Sequence, residues 1–149
     1  MLDLIIKNGK CYIDGDLKEV SVGVKDGKID KIGEISSDAK ETIDAKDLLV
    51  LPGCIDTQTH FREPGSTDTE DLHSGSRAAI AGGITSVFEM PNTNPPTSNK
   101  KEFQRKLDLA KNRMYCNYAF YFGATAENAD DLASLKDLEG CCGIKLFAG

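Results

Sequence analysis

Short apolar stretches separated by Asn-Gly and Asp-Gly pairs fill the first 50 residues, and this pattern is typical of β-hairpins. Residues 2–6 are mostly apolar, and Asn8-Gly9 behind them predicts a hairpin to the next strand. Residues 20–24 alternate valine with smaller residues, which predicts a half-buried strand, and Asp26-Gly27 predicts a second hairpin after it. Residues 1–50 are therefore predicted to form a small β-sandwich module, without candidate chemistry.

Beyond residue 50, apolar strands alternate with amphipathic helices. Four strands are predicted, beginning near residues 54, 84, 117 and 141. Alternation of this kind implies parallel strands with helices outside, so residues 51–149 are predicted to be the first four β/α units of a TIM (β/α)8 barrel, an α/β fold. A doubly wound open sheet is the structural alternative. Because a half barrel leaves two open edges, we expect the sequence to be the N-terminal portion of a longer protein.

Capping residues and apolar spacing predict the limits of the helices. Thr67-x-x-Glu70 has the form of a capping box for the first helix, which Gly82-Gly83 ends. Ser98 is predicted to cap the second helix. Its apolar residues recur at steps of four, three and four: Phe103, Leu107, Ala110 and Met114. A short third helix is predicted around Leu135.

The first strand of the barrel segment ends among polar residues. Three of them share one parity and point to the same side on a regular strand: Asp56, Gln58 and His60. Arg62 continues that parity. We expect the apolar residues 49–51 and 54–55 to anchor this strand in a core. Two interpretations of the spacing stay open, a metal site with an anion clamp beside it, or a buried strand with one hydrogen-bonded histidine.

Two further candidate site residues lie at the ends of later strands. Asn92 comes directly after the second strand, and Lys145 lies near the end of the fourth. Because the carboxyl ends of parallel strands meet at one rim, we expect both to lie on the same rim as His60 and Arg62. In a (β/α)8 barrel that rim holds the active site.

Charge and cysteine usage argue against several kinds of partner. Lys and Arg number 18 against 24 Asp and Glu, a net charge of −6 without a basic run, which argues against nucleic acid and anionic membranes. No apolar stretch approaches the ~20 residues of a membrane span, and the first residues lack the basic start of a secretory signal. The 5 cysteines form no C-x-x-C pair, so we predict reduced core thiols in a cytoplasmic protein.

Five stretches together resemble dihydroorotase of the cyclic amidohydrolase family, in the family's order along essentially the whole chain. They are Leu51-Pro52-Gly53-x-Ile55-Asp56, His60-Phe61-Arg62-Glu63-Pro64-Gly65, Ala81-Gly82-Gly83-Ile84-Thr85-Ser86, Met90-Pro91-Asn92-Thr93-Asn94-Pro95-Pro96-Thr97 and Gly143-Ile144-Lys145-Leu146-Phe147. The second and fourth point to dihydroorotase more than to its relatives, since allantoinases and hydantoinases typically lack an arginine at the position of Arg62.

The resemblance implies a metal centre. The family binds one or two divalent metals, usually Zn²⁺, and His60 matches a metal-binding histidine. Lys145 matches a lysine whose CO₂-derived carbamate bridges two metals, which makes it the catalytic candidate as well as a ligand. Asp56 is a further candidate ligand. Gln58 stands where a first histidine is usual, and because an amide oxygen is a poor zinc ligand, we expect the second metal site to be weak.

The implied activity is reversible hydrolysis of the ring amide of L-dihydroorotate to N-carbamoyl-L-aspartate in pyrimidine synthesis, with Arg62 and Asn92 holding the substrate's carboxylate. One alternative is a hydantoinase, dihydropyrimidinase or allantoinase. Another, which Gln58 favours, is an inactive homologue that scaffolds aspartate carbamoyltransferase. The remaining ligands and a late aspartate are expected beyond Gly149, so residues 1–149 alone are expected to be inactive. A homo-oligomer is also expected.

Overall fold

The chain divides into two compact units, Met1–Pro52 and a second unit that begins at Gly53. The structure is a computed structural model that describes residues 1–148, and Gly149, the last residue of the predicted barrel segment, lies outside the described residues.

The first unit, all of whose residues are described, contains seven strands: β1 (Leu2–Lys7), β2 (Lys10–Ile13), β3 (Asp16–Glu19), β4 (Ser21–Lys25), β5 (Lys28–Gly33), β6 (Ala39–Asp44) and β7 (Leu49–Val50). One sheet has the order β5-β4-β1-β6, and the other has the order β3-β2-β7. In the first sheet β1 pairs antiparallel with β4 and parallel with β6, so it is a central strand.

One predicted hairpin of this unit is confirmed and one is wrong. Lys25 pairs with Lys28 across Asp26-Gly27, as the two-residue turn predicts. Asn8-Gly9 instead leads from β1 in one sheet to β2 in the other. The side chain of Asn8 donates to Asp44 Oδ1 at 2.9 Å, and the Ala45 N–H donates to the carbonyl of Lys7 at 2.8 Å. The end of β1 is therefore held by the end of β6, a partner that local sequence does not reveal.

The described part of the second unit alternates strands and helices: β8 (Cys54–Thr59), α1 (Leu72–Ala81), β9 (Ile84–Glu89), α2 (Lys100–Ala110), β10 (Asn117–Gly123), a 3₁₀ helix (Ala129–Leu135) and β11 (Cys141–Lys145). All strand pairs in its sheet are parallel, in the order β11-β10-β9-β8. Strands adjacent in sequence are adjacent in the sheet, which is the arrangement of half a (β/α)8 barrel.

The N-cap residues of both main helices differ from the predicted ones. The N-cap of α1 is Asp71, whose carboxylate accepts the N–H of Ser74 at 2.6 Å, so the Thr67 capping box is wrong. The N-cap of α2 is Asn99, whose side chain accepts the N–H of Glu102 at 2.9 Å, and not Ser98. Asp and Asn accept such bonds as well as Ser and Thr do, and the chain offers several candidates in succession. The predicted end of α1 at Gly82 is confirmed.

The core of the second unit lies between the helices and one face of the sheet. Phe103 of α2 is buried between the aromatic rings of Phe120 and Phe122 of β10, with ring centroids 6.5 and 6.0 Å away. Leu72 of α1 and Val87 of β9 are fully buried in the same cluster. Burying one such side chain contributes roughly 1.5–3 kcal/mol, so this cluster fixes the strands whose ends carry the candidate residues.

The edge strand β8 is more exposed than predicted. Ile55 is 59% exposed, and Cys54 is also exposed, because β8 pairs within the described residues only with β9. The prediction that the apolar residues around Ile55 are anchored in a core, and that all cysteines are core thiols, is therefore wrong for this strand. Cys11 and Cys116 are buried as predicted. Neither α1 nor α2, nor any other helix among residues 1–148, is long and apolar enough to cross a membrane.

Candidate functional site

His60 and Asn92 meet at the carboxyl ends of two neighbouring strands. His60 follows β8 and Asn92 comes shortly after β9, and His60 Nδ1 lies 2.9 Å from Asn92 Oδ1. An amide oxygen accepts hydrogen bonds, so Nδ1 carries the hydrogen, and in the neutral form of such a ring the lone pair is on Nε2. A histidine in this tautomer is able to bind a metal through Nε2 while Nδ1 holds the orientation of the ring.

The strand before His60 is irregular. Asp56 is level with Val87 on β9 and Thr59 is level with Glu89, so three residue steps on β8 match two on its neighbour. An extra residue of this kind breaks strict alternation, and the prediction that Asp56, Gln58 and His60 follow one parity does not hold. Asp56 Oδ1 accepts the N–H of Gln58 at 2.9 Å, so this carboxylate binds its own strand's backbone.

Arg62 is exposed and begins a tight turn. Its φ of 62° lies in the left-handed region, and its carbonyl accepts the N–H of Ser66 at 3.0 Å. The neighbouring Glu63 is buried and binds Arg113 with both oxygens, at 2.8 and 3.1 Å. Glu63 Oε2 also accepts the N–H of Leu72 at 2.9 Å. The hydrogen bond to Glu63 raises the pKa of Arg113, and these contacts fix the loop that presents Arg62.

The loops after β8 and β9 are in direct contact. The N–H of Asn94 donates to the carbonyl of Pro64 at 2.9 Å. Gly65 has a φ of 121°, and a Cβ at this position would lie 2.8 Å from the Cβ of Asn94. Only glycine fits this close approach at this φ, so Gly65 allows the loop with Arg62 to pack on the loop with Asn92.

A buried ion pair lies behind these loops. Glu89 of β9 is 1% exposed, and Lys106 of α2 is fully buried against it. Glu89 Oε1 accepts the N–H of Phe61 at 3.2 Å, and Lys106 Nζ donates to the carbonyl of Met90 at 2.9 Å. Burial raises the pKa of Glu89 to about 7, against the opposing attraction of Lys106. Burial likewise lowers the pKa of Lys106.

Sequence reasoning missed this pair, although a signal was present. Lys106 lies three residues after Phe103 and four before Ala110, on the buried stripe of α2. A charged residue on such a stripe needs a buried partner. Glu89 lies two residues after the fully buried Val87, so it shares that residue's buried face of β9.

Lys145 ends β11, the strand at the other edge of the sheet. It is half-buried and level with Gly123 of β10, and its carbonyl accepts the N–H of Ala124 at 2.8 Å. Its ammonium lies 5.3 Å from the centre of the Phe147 ring. Of the predicted site residues, the structure thus joins His60 with Asn92 by a side-chain contact, while the Lys145 ammonium lies against Phe147.

The donor set tests whether the implied metal fits. Within residues 1–148 no three side chains of His, Cys, Asp or Glu come together as a metal site. The candidates on β8 and just after it supply the imidazole of His60, the neutral amide of Gln58 and the carboxylate of Asp56, which binds the backbone of its own strand. A tetrahedral zinc site needs three or four good donors. The described residues alone therefore do not form a closed zinc site, and we assign no reaction step to a metal.

The sequence profile of the amidohydrolase family matches residues 49–141. The chain belongs to the amidohydrolase family. Among curated relatives of this amidohydrolase, the allantoinase of Escherichia coli O1:K1 / APEC is 41% identical over 146 residues, which cover 97% of this chain and 32% of the relative. The allantoinase of Escherichia coli strain SMS-3-5 / SECEC is 42% identical over the same length.

Solved structures give the same result for the fold. The L-hydantoinase (dihydropyrimidinase) from Arthrobacter aurescens superposes with a TM-score of 0.87 at 31% identity, covering 97% of the amidohydrolase chain and 32% of that enzyme. The D-hydantoinase (dihydropyrimidinase) from Thermus sp. gives a TM-score of 0.72 at 26% identity, over 89% and 30%. The half-barrel prediction is confirmed, and the chain spans about a third of the length of these relatives.

The resemblance to the amidohydrolases is thus confirmed at the level of the family. The relatives are allantoinases and hydantoinases, which favours the alternative ring class over dihydroorotase.

Proposed function

We propose that this amidohydrolase chain is part of an enzyme that hydrolyses the ring amide of a hydantoin- or allantoin-type substrate. The observation that carries the proposal is the 41% identity to an allantoinase along 97% of the chain. The contact of His60 with Asn92 supports it, because it lies at the carboxyl ends of parallel strands, where barrel enzymes hold their active sites.

The candidate residues receive roles within this proposal. Arg62 and Asn92 bind polar groups of the ring substrate, since both lie on loops that Glu63 and Gly65 hold in place. His60 is the proposed metal ligand, through Nε2, and Lys145 a second one in its carbamylated form. These two residues, with ligands from outside residues 1–148, would hold a divalent metal, which would supply a bound water of lowered pKa.

Dihydroorotate is a second candidate substrate, favoured by Arg62. A guanidinium offers a planar fork to a carboxylate, which dihydroorotate carries and hydantoin lacks. Gln58 favours a third candidate, an inactive homologue that scaffolds a partner such as aspartate carbamoyltransferase, because it weakens the donor set beside His60.

A substrate panel tests the proposal on the whole protein. Turnover of allantoin, hydantoin, dihydrouracil and L-dihydroorotate is measured with added zinc and bicarbonate, beside the H60A variant as the inactive control. We expect turnover of allantoin or hydantoin, lost in H60A. Turnover of dihydroorotate alone would move the assignment to the second candidate. No turnover of any ring, together with no bound metal by elemental analysis, would reject hydrolysis and favour the scaffold.

A further inference from the structure

Glu89 and Lys106 contact the backbone of both strand ends that carry the candidate site. We propose that this buried pair is a positioning device, which keeps His60 and Asn92 within hydrogen-bond distance of each other. The inference rests on the proposed function only in placing those two residues in the active site.

Glu89 binds the backbone just beyond the end of β8. Glu89 Oε1 accepts the N–H of Phe61, the residue directly after His60. Phe61 is itself buried, and its ring packs so closely on Gly75 of α1 that a Cβ there would lie 2.5 Å from the ring. The backbone next to His60 is therefore fixed by a hydrogen bond and by packing.

Lys106 binds the backbone just beyond the end of β9. Lys106 Nζ donates to the carbonyl of Met90, two residues before Asn92. The N–H of Met90 donates in turn to the carbonyl of Thr59, the residue directly before His60. The ion pair thus closes a chain of contacts from Phe61 through Glu89 and Lys106 to Met90 and back to β8.

A gain in folding stability does not by itself explain why Glu89 and Lys106 are buried as an ion pair. Moving two charges out of water is costly, and replacing a buried pair by apolar residues of similar size often leaves a protein equally stable or more stable. What an apolar pair cannot do is bind the Phe61 N–H and the Met90 carbonyl. The geometry therefore assigns Glu89 and Lys106 to holding these two backbone groups in place.

The decisive variant is E89L/K106M, which removes both contacts without leaving a buried charge. Melting temperature, kcat and KM are measured on the whole protein, and the tautomer of His60 by ¹⁵N NMR of the imidazoles. Signals that are missing from the spectrum of H60A are those of His60. We expect a moderately lower melting temperature, because the Phe61 N–H and the Met90 carbonyl lose their partners. We also expect a mixture of His60 tautomers in place of the Nδ1–H form, and a kcat/KM lower by about 10- to 100-fold.

L135A is the matched control, because Leu135 is buried in the same core and its side chain has no hydrogen bond to either strand end. It should lower the melting temperature and leave the His60 tautomer and kcat/KM unchanged. Wild-type tautomer and kcat/KM in E89L/K106M would overturn the proposal, as would loss of the tautomer in L135A. If wild type turns over no ring amide, the proposed function fails while the tautomer comparison still decides the positioning role.

E89Q is the second variant should the double variant fail to fold. Its amide oxygen keeps an acceptor for the Phe61 N–H, so the Nδ1–H tautomer should persist although the melting temperature falls. Mixed tautomers in a folded E89Q would contradict the role given to the Glu89 oxygen.

Discussion

His60 Nδ1 and Asn92 Oδ1, 32 residues apart in sequence, lie 2.9 Å from each other across the ends of two parallel strands. The contact fixes which imidazole nitrogen carries the hydrogen, and it leaves Nε2 as the nitrogen able to bind a metal or a proton. A residue proposed to bind substrate therefore also sets the chemical state of a residue proposed to bind metal.

Replacing Asn92 by Ala should lower kcat/KM by about 5- to 20-fold, the worth of roughly one neutral hydrogen bond. Loss of the amide oxygen frees the His60 ring to take either tautomer. N94A is the matched control in the same loop, since Asn94 contributes its backbone N–H to Pro64 and keeps it on truncation. Steady-state kinetics on the favoured ring substrate give kcat/KM for both variants. Equal losses of kcat/KM in N92A and N94A would contradict the prediction.

Replacing Arg62 by Met should weaken binding of a carboxylate-bearing substrate by about 2–4 kcal/mol, as for a lost charge-assisted pair. Uncharged rings such as hydantoin should be affected much less. R77M removes an exposed arginine from α1 and serves as the control. Calorimetry, or KM values, for dihydroorotate and for hydantoin measures the loss for the carboxylate-bearing ring and for the uncharged ring separately. An unchanged affinity for dihydroorotate would show that Arg62 does not bind a carboxylate.

Replacing Gln58 by His should raise the zinc content of the whole protein toward two per chain. Imidazole donates more charge to the metal than an amide oxygen does. Elemental analysis of both forms, purified side by side with zinc and bicarbonate, measures the change, and activity should rise with it. Equal metal content in the two forms would reject Gln58 as the limit on the second site.

Replacing Gly65 by Ala should destabilise the fold by about 1–3 kcal/mol, because a side chain at a φ of 121° is strained and its Cβ would meet Asn94. Gly27 provides the control, since its φ of 72° is also positive but nothing lies within 4 Å of its Cβ position. Chemical denaturation of both variants measures the difference. A loss in G27A as large as that in G65A would show that backbone strain, and not contact with Asn94, is the cause.

The N-cap of α1 predicts a dependence of stability on pH. The hydrogen bonds from Ser74 hold the pKa of Asp71 below its ordinary value of 3.8. The cap therefore contributes fully above that value, and its contribution is lost as the pH falls, because the unfolded chain takes up the proton first. From about pH 5 to about pH 3, wild type should lose more stability than D71N, which keeps an acceptor but does not titrate. Parallel pH curves in thermal unfolding would contradict this.

The sequence is sufficient to predict an element where interactions between neighbouring residues determine its structure. A strand is predicted to begin near residue 117, and β10 (Asn117–Gly123) begins there, because aromatic residues, in which this segment is rich, favour strands. The hairpin at Asp26-Gly27 was likewise predictable, since two residues determine the turn.

The remaining features depend on partners far away in sequence. Asn8 binds Asp44, 36 residues further on, and so Asn8-Gly9 does not form the predicted hairpin. Within the site, the meeting of His60 with Asn92 followed from parallel strands, but the irregularity after Asp56 and the pairing of Glu89 with Lys106 arise only when β8, β9 and α2 pack together. Periodicity within one segment carries no information about such contacts.

The parallel pairing of β1 with β6 has a consequence for synthesis of the chain. Leu2 pairs with Ala39 and Lys7 with Asp44, so β1 pairs with a strand that is made more than thirty residues later. The β4–β5 hairpin is local and can close early, but β1 keeps an open edge until Asp44 has emerged. Nascent chains shorter than this carry an apolar strand with at least one unpaired edge, and such chains are the ones that need protection from aggregation.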